Sequence, residues 1–262
     1  MKTRILSGLA MVPVLIIFYF GGYVMLAGCF LITLMALYEF YSGFKAMGFK
    51  PFYAAGFISA TGLYLIGLFK ANPELYLFWI LVSVLMCTFY LFKIEERKLE
   101  DAMCSITGIF YVSFFAYHIV LVDQTGEYRL LVWLVIFSAF GSDIFAYFTG
   151  FLLGRHKLCP AISPKKTVEG AIGGVLGSVL ICGIFGWVVI PGIAVHCLII
   201  GALGAVFSQL GDLTASIFKR KMGIKDYGTL IPGHGGVMDR IDSILFTAPL
   251  VYYYTVLVIT AA

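Results

Sequence analysis

The stretch ILSGLAMVPVLIIFYFGGYVMLAGCFLITLMAL, residues 5–37, contains no charged side chain. As one helix it would be about 50 Å long at 1.5 Å per residue, well beyond the roughly 30 Å hydrocarbon core of a bilayer. The glycine pair Gly21-Gly22 is the natural break, which predicts two spans near 5–20 and 23–44. The stretch therefore predicts helices that cross a membrane.

The rest of the chain has the same apolar character. Of its 262 residues, 61% are hydrophobic and 12% are charged, whereas a globular chain carries about 25% charged residues. The mean hydropathy is +0.99, and an ordinary soluble domain is excluded. Further apolar runs occupy 51–69, 75–92, 102–122, 130–154, 170–218 (two spans, with a turn at Pro191-Gly192) and 239 to the end. The sequence predicts an all-α, polytopic membrane protein with about nine transmembrane helices.

The positive charges predict its orientation. With nine spans, sixteen of the eighteen Lys and Arg residues fall on the N-terminal side, in segments 1–4, 45–50, 93–101, 155–169 and 219–240. Only Lys70 and Arg129 fall on the opposite side. Because Lys and Arg concentrate in cytoplasmic loops, the N-terminus is predicted to be cytoplasmic and the C-terminus outside.

Charge and cysteine usage exclude several other classes. The net charge of +4 is too small to indicate a nucleic-acid partner, and none is expected. The six cysteines form no CxxC pair, so neither a disulfide framework nor a zinc site is indicated. The sequence also lacks the GxxxxGK[ST] phosphate loop and the GxGxxG fingerprint.

The chain is predicted to have two regions, and two polar loops lie in the second. Residues 1–101 are predicted to be membrane-anchoring helices, with about four spans. Residues 102–262 are predicted to form a catalytic membrane region, with about five spans and the cytoplasmic loops 154–170 and 219–240. Each loop mixes clustered cations with Gly and Pro, and polar loops of this length in a compact protein are usually functional or disordered.

Four acids lie in or beside the apolar runs near these loops. Asp143 and Asp212 lie inside their spans, about 15 Å and 10 Å from the cytoplasmic ends. Asp239 and Asp242 open the last span at i and i+3, which places both carboxylates on one helical face. Ionisable residues in a membrane are costly and mark functional sites by default, although an interhelical ion pair would also account for Asp143 or Asp212 taken singly. Carboxylates beside lysines and arginines suit phosphoryl chemistry, in which Mg²⁺ is held by a few carboxylates and by substrate phosphates.

The stretch SIFKRKMGIKDYGTLIPGHGGVMDRID, residues 216–242, resembles the signature of the phosphatidate cytidylyltransferase (CDP-diacylglycerol synthase) family. That signature has Ser-x-x-Lys-Arg, then Lys-Asp, then Pro-Gly-His-Gly-Gly, then Asp-Arg-x-Asp, and no position departs from it. The segments SDIFAY (142–147) and SPKKTVEG (163–170) and the pair Gly211-Asp212 also resemble family segments. The first 100 residues are similar only in being helical and apolar.

The resemblance implies that CTP and phosphatidic acid are converted to CDP-diacylglycerol and pyrophosphate with Mg²⁺, a second metal ion being an open alternative. It also implies a homodimer. The small-residue runs 170–174 and 201–204 allow close helix packing, either between two chains or within one chain. The expected location is a bacterial inner membrane, with the lipid bilayer as partner and the site facing the cytoplasm.

The expected site residues follow from the resemblance and from the position of each residue. The metal ligands are expected to be Asp212, Asp239 and Asp242. The catalytic group is expected to comprise Asp143, Lys165, Lys166, Lys219, Arg220, Lys225, Asp226, His234 and Arg240. The substrate-binding group is expected to comprise Ser216, Gly233, Gly235 and Gly236. Two roles stay open at this point: His234 is either a pyrophosphate donor or a residue that orders its loop, and Lys225 and Arg240 either bind phosphate or pair with neighbouring acids.

Three other functions compete with this interpretation. An ion transporter also uses buried acids and broken helices, but it predicts internal repeats and a charged path across the membrane, and the sequence shows neither. Another membrane enzyme that uses CTP or a CDP-lipid is the second alternative; the Asp-Gly-x-x-Ala-Arg start of CDP-alcohol phosphotransferases is absent. The third is a non-catalytic scaffold, against which the intact acids and lysines of the signature argue.

Overall fold

The computed structural model describes residues 12–69, 72–230 and 235–261, with side chains from Leu15 onward. Helices dominate this part of the chain. They are α1 Val12–Phe20, α2 Gly22–Ala46, α3 Tyr53–Leu68, α4 Glu74–Phe92, α5 Leu99–Asp123, α6 Gly126–Leu153, α7 Val168–Val189, α8 Pro191–Met222 and α9 Met238–Ile259.

Seven of the helices in the described ranges, α2 and α4 to α9, are long and apolar enough to cross a membrane. Helix α3 is apolar but has 16 residues, and α1 is described only from Val12. The prediction of a helical, multi-pass membrane protein is therefore confirmed. The count of nine spans and the orientation of the termini stay predictions.

The predicted breaks between spans are confirmed. Gly21 and Gly22 have φ values of 60° and 54°, a region that residues with a Cβ rarely adopt, and they separate α1 from α2. Pro191–Ile193 forms a single 3₁₀ turn between α7 and the regular part of α8.

The all-α prediction was wrong for the loop after α6. Two antiparallel strands, β1 Lys157–Cys159 and β2 Ser163–Thr167, form a hairpin there. Strands of three and five residues with prolines nearby are too short to give a recognisable alternating pattern.

Both polar loops are also shorter than predicted. Helix α8 continues to Met222, so Lys219 and Arg220 lie on a helix and not in a loop. Helix α9 begins at Met238 and so includes Asp239 and Arg240. The first loop ends with the last residue of β2, Thr167, because α7 begins at Val168.

The chain forms two compact units. The first runs to Leu121 and also includes Lys221–Ile241; the second comprises Val122–Arg220 and Asp242–Ala262. In the first unit, α2 packs against α3 and α5 through buried aromatic residues. Tyr41 of α2 is fully buried and donates its hydroxyl proton to the carbonyl of Ser105, at 2.7 Å.

In the second unit, α6 and α7 pack along a row of buried glycines. These are Gly170, Gly173, Gly174 and Gly177. A Cβ built at Gly174 would lie 2.8 Å from the carbonyl oxygen of Ser142, and one at Gly177 would lie 2.5 Å from Cβ of Phe145. Small residues allow such close backbone approach between membrane helices. The run 170–174 therefore serves packing within the chain.

The second small-residue run has the same role. A Cβ at Gly201 would lie 3.0 Å from the carbonyl of Ser178 on α7, and one at Gly204 would lie 2.7 Å from Oγ of Ser138 on α6. Helix α8 therefore packs against α6 and α7 through these two glycines.

Candidate active site

The β hairpin of the second unit is fixed to the start of α7. Thr167, the last residue of β2, accepts a hydrogen bond from the amide of Gly170 at 3.1 Å and so caps the helix. The carboxylate of Glu169 accepts hydrogen bonds from the amide of Arg155 at 3.1 Å and from Nδ1 of His156 at 2.6 Å. These bonds hold both ends of the hairpin, and with them the lysines of β2.

A cavity of about 500 Å³ lies beside the hairpin. Its charged lining residues are Asp143, Lys157, Lys165 and Lys166, and the amide side chain of Gln209 joins them. Its remaining walls are mainly apolar residues of α6 and the first turn of α7. Small-molecule sites commonly have this volume, with apolar walls and a few polar groups. The structure thus brings together three of the predicted residues, Asp143, Lys165 and Lys166.

Lys166 connects this cavity to Asp212 on α8. Its Nζ donates a hydrogen bond to Oδ2 of Asp212, and the two side chains are 29% and 25% exposed. The pair is therefore partly desolvated. The sequence analysis expected Lys166 in the catalytic group and Asp212 among the metal ligands, and it did not predict that the two would bond to each other.

Asp242 is a buried acid of the second unit. It is 7% exposed, and its Oδ1 accepts a hydrogen bond from the amide of Ser243 at 2.8 Å. The charges of Asp212, Lys219 and Asp143 all act on this carboxylate. Three of the four predicted acids are therefore close enough to interact electrostatically.

In the first unit, Asp239 organises the signature loop between α8 and α9. Its Oδ2 accepts hydrogen bonds from the amide of Tyr227 at 2.8 Å and from the amide of Gly236 at 3.0 Å. Gly235, between them in the chain, has a φ of +81°, which favours glycine. Asp239 therefore holds both ends of the loop.

The remaining predicted residues have varied settings. Ser216 and Lys219 are half-buried on α8, Arg220 is exposed on the same helix, and Lys225 and Asp226 are exposed in the signature loop. The Nε of Arg240 is buried, and among the described residues it has no hydrogen-bond partner. Gly233 and His234 lie outside the described residues, so both alternatives for His234 stay open.

Three residues of these surroundings were missed by the sequence analysis. Lys157 and Gln209 line the cavity; Lys157 is one of the cations of the first loop and could have been singled out on that ground. Glu39 of α2 accepts a hydrogen bond from the amide of Met238 at 2.8 Å. Glu39 could have been identified from the sequence, because it is an acid that directly follows an uncharged run of membrane-helix length.

No preassembled metal site is found in the described part of the chain, where no three His, Cys, Asp or Glu residues are grouped closely enough to hold an ion. The acids in question nevertheless supply oxygen ligands, which Mg²⁺ prefers. A divalent ion bound at Asp212 would supply the positive charge that the Lys166 ammonium supplies in this structure.

The fold and the polar cavity define a multi-pass membrane protein with a site suited to a phosphorylated ligand. Comparison with known proteins identifies the protein family. The family model described as "Cytidylyltransferase family" matches residues 2–258. The chain belongs to this family and is a nucleotidyltransferase.

Relatives from several bacteria carry the same name. A phosphatidate cytidylyltransferase of Synechocystis is 35% identical over 268 residues, covering 91% of this chain and 90% of its own length. The phosphatidate cytidylyltransferase of Staphylococcus saprophyticus is 34% identical, and that of Staphylococcus aureus strain COL is 33% identical. Both alignments cover 95% of this chain and 97% of the relative.

Proposed function

We propose that this protein transfers the cytidylyl group of CTP to phosphatidate, which yields CDP-diacylglycerol and pyrophosphate. The observation that carries the proposal is the cavity of the second unit, which Lys157, Lys165, Lys166 and Asp143 line together and where Lys166 bonds to Asp212. Cations clustered beside carboxylates are what a triphosphate with its metal ion requires. The names of the relatives supply the lipid substrate.

The reaction is a displacement at the α-phosphorus of CTP. An oxygen of the lipid phosphate forms a bond to this phosphorus, while the bond from the phosphorus to the oxygen bridging to the β-phosphate breaks. The electron pair leaves with pyrophosphate. Because the lipid phosphate is already an anion, no strong general base is needed, and catalysis rests on alignment and neutralisation of charge.

The proposed roles follow from where the charged side chains lie. Lys157, Lys165 and Lys166 bind the phosphates of CTP in the cavity. Arg240, whose Nε is buried, offers a guanidinium fork to a phosphate. Lys219, Arg220 and Lys225 supply further positive charge, and the proposed substrate-binding residues are Ser216, Gly233, Gly235 and Gly236.

The proposed metal ligands are Asp212, Asp239 and Asp242, with Asp143 as a further ligand or orienting group. When bound there, Mg²⁺ would neutralise phosphate oxygens and favour the departure of pyrophosphate. Asp212 would be one of the residues that hold the ion, and Lys166, its partner in this structure, would bind a phosphate of CTP. Asp239 would keep its two loop hydrogen bonds through Oδ2.

The proposed topology has nine spans, a cytoplasmic N-terminus and an external C-terminus in a bacterial inner membrane. It places the hairpin and the signature loop on the cytoplasmic side, where CTP is available. A homodimer stays a prediction from the family resemblance.

The direct test is pyrophosphate release by purified protein in detergent, with CTP, phosphatidate and Mg²⁺ each omitted in turn and ATP as control nucleotide. We expect release that requires all three components. Lys166→Met should raise the KM for CTP by about ten- to a hundredfold, since hydrogen bonds to charged groups contribute about 1.5–3 kcal/mol. Lys93→Met, at an exposed lysine of the 93–101 connector, is the matched control and should behave as wild type.

Folded protein that releases no pyrophosphate from CTP with any lipid phosphate would overturn the proposal. Equal activity with ATP would overturn its nucleotide specificity.

A further inference from the structure

Glu39 is a buried carboxylate on a helix that was expected only to anchor the chain. It is 7% exposed and lies among mainly apolar buried residues of α2 in the first unit. A carboxylate in such surroundings is costly unless hydrogen bonds satisfy it. Its partners therefore indicate why it is there.

A hydrogen-bond partner of Glu39 lies 199 residues further along the chain, at the start of α9. The Oε2 of Glu39 accepts from the amide of Met238 at 2.8 Å. The first amides of a helix have no partner within the helix, and a negative charge there is favourable. Glu39 thus fixes the start of the helix that carries Asp239 and Arg240.

Two glycines of the signature loop pack directly against the same carboxylate. A Cβ built at Gly228 would lie 2.7 Å from Cδ of Glu39, and one at Gly236 would lie 2.6 Å from it. Cβ atoms in proteins essentially never come so close. The two ends of the loop therefore lie against the carboxylate of Glu39.

Neighbouring residues of α2 continue this contact. The ring of Phe40 packs against that of Tyr227, with centroids 6.0 Å apart, and Gly43 lies against the sulfur of Met222. One face of α2 thus contacts the end of α8, the described ends of the signature loop and the start of α9.

We propose that Glu39 is a positioning residue for the reaction, which rests on the proposed function. Its carboxylate holds the signature loop from one side, while Asp239 holds it through the amides of Tyr227 and Gly236. Removing Glu39 loosens the loop and displaces Asp239 and Arg240. The N-terminal helices thereby contribute to the site as well as to membrane anchoring.

The test combines loop accessibility with kinetics. Trypsin cleaves after exposed Lys225 in the loop, and cleavage after exposed Lys93 in the 93–101 connector serves as the internal reference. For Glu39→Ala we expect cleavage at Lys225, relative to Lys93, to rise by roughly tenfold as local opening becomes easier. We expect kcat to fall by about tenfold or more because the site is displaced.

Two variants separate positioning from general packing. Glu39→Gln keeps the side-chain length and one acceptor, so it should lie between wild type and Glu39→Ala in both cleavage and kcat. Thr33→Val removes another buried hydrogen bond of α2, the 2.8 Å contact with the Tyr64 hydroxyl, without touching the loop. It should leave the cleavage ratio and kcat unchanged.

The proposal is overturned if both Glu39 variants keep the wild-type cleavage ratio, or if Thr33→Val raises that ratio equally. If Glu39→Ala does not fold, Glu39→Gln alone decides by the same criterion. The cleavage ratio needs no substrate. An inactive wild type would therefore refute the proposed function while the role of Glu39 in holding the loop is still decided.

Discussion

The acids predicted as site residues differ in their partners. Oδ2 of Asp239 bonds to two backbone amides, Asp212 bonds to an ammonium, and Asp242 is buried near other charges. The sequence predicted all of these acids as site residues from their motifs and their positions in apolar runs. It could not predict the partners, because the bond between Lys166 and Asp212 joins residues 46 positions apart.

Two substitutions of Asp239 distinguish the effect of its negative charge from that of its hydrogen bonds. Asp239→Asn retains an oxygen that can accept from Tyr227 and Gly236 but loses the negative charge. We therefore expect kcat to fall by about 10² or more while the tryptic cleavage ratio at Lys225 stays near wild type. Asp239→Ala should lose turnover and also expose the loop. Turnover by Asp239→Asn close to that of wild type would show that the charge is not needed.

The elements around the cavity depend on close helix packing. The glycine row of α7 brings α6 close enough for Asp143 and the lysines of the hairpin to line one cavity. The sequence indicated that residues 170–174 allow close packing but left the partner open, because a small-residue run looks the same within a chain and between chains. The hairpin itself was missed because its strands are too short to show a period.

Gly177 tests this packing. A Cβ there would meet the side chain of Phe145, whereas a Cβ at Gly192 would meet nothing within 4 Å. Gly177→Ala should lower the free energy of unfolding by about 1–3 kcal/mol, the usual cost of overpacking. Gly192→Ala should leave stability nearly unchanged. Thermal unfolding in detergent measures both, and equal midpoints for the two variants would argue against the glycine row as a close contact.

At the scale of the whole molecule, composition alone predicted a helical membrane protein, because apolar runs of about 20 residues have few alternatives in a bilayer. The number of spans is harder to predict, since helices such as the 16-residue α3 are near the minimum length. The contact between Glu39 and Met238 lay beyond sequence reasoning, because no local pattern links residues 199 positions apart. The same limit applied to the Lys166–Asp212 pair.

The predicted orientation can be tested with Cys159 at the end of β1. It is partly exposed, whereas the other five cysteines are buried. A membrane-impermeant thiol reagent should label it in inside-out vesicles and leave it unlabelled in intact spheroplasts. Cys159→Ser should abolish the signal, and adding Glu127→Cys, at an exposed position in the first turn of α6, should restore labelling from the outer side. Labelling of Cys159 in intact spheroplasts would contradict the topology.

The fate of labelled phosphorus from CTP tests the central claim most directly. Purified protein is incubated with phosphatidate, Mg²⁺ and CTP labelled either at the α- or at the γ-phosphorus, and lipid and water phases are separated. Cytidylyl transfer predicts α-label in the lipid product and γ-label in pyrophosphate. Label from the γ-phosphorus in the lipid would instead mean that the protein is a lipid kinase, and absence of label from the lipid in both cases would contradict the account.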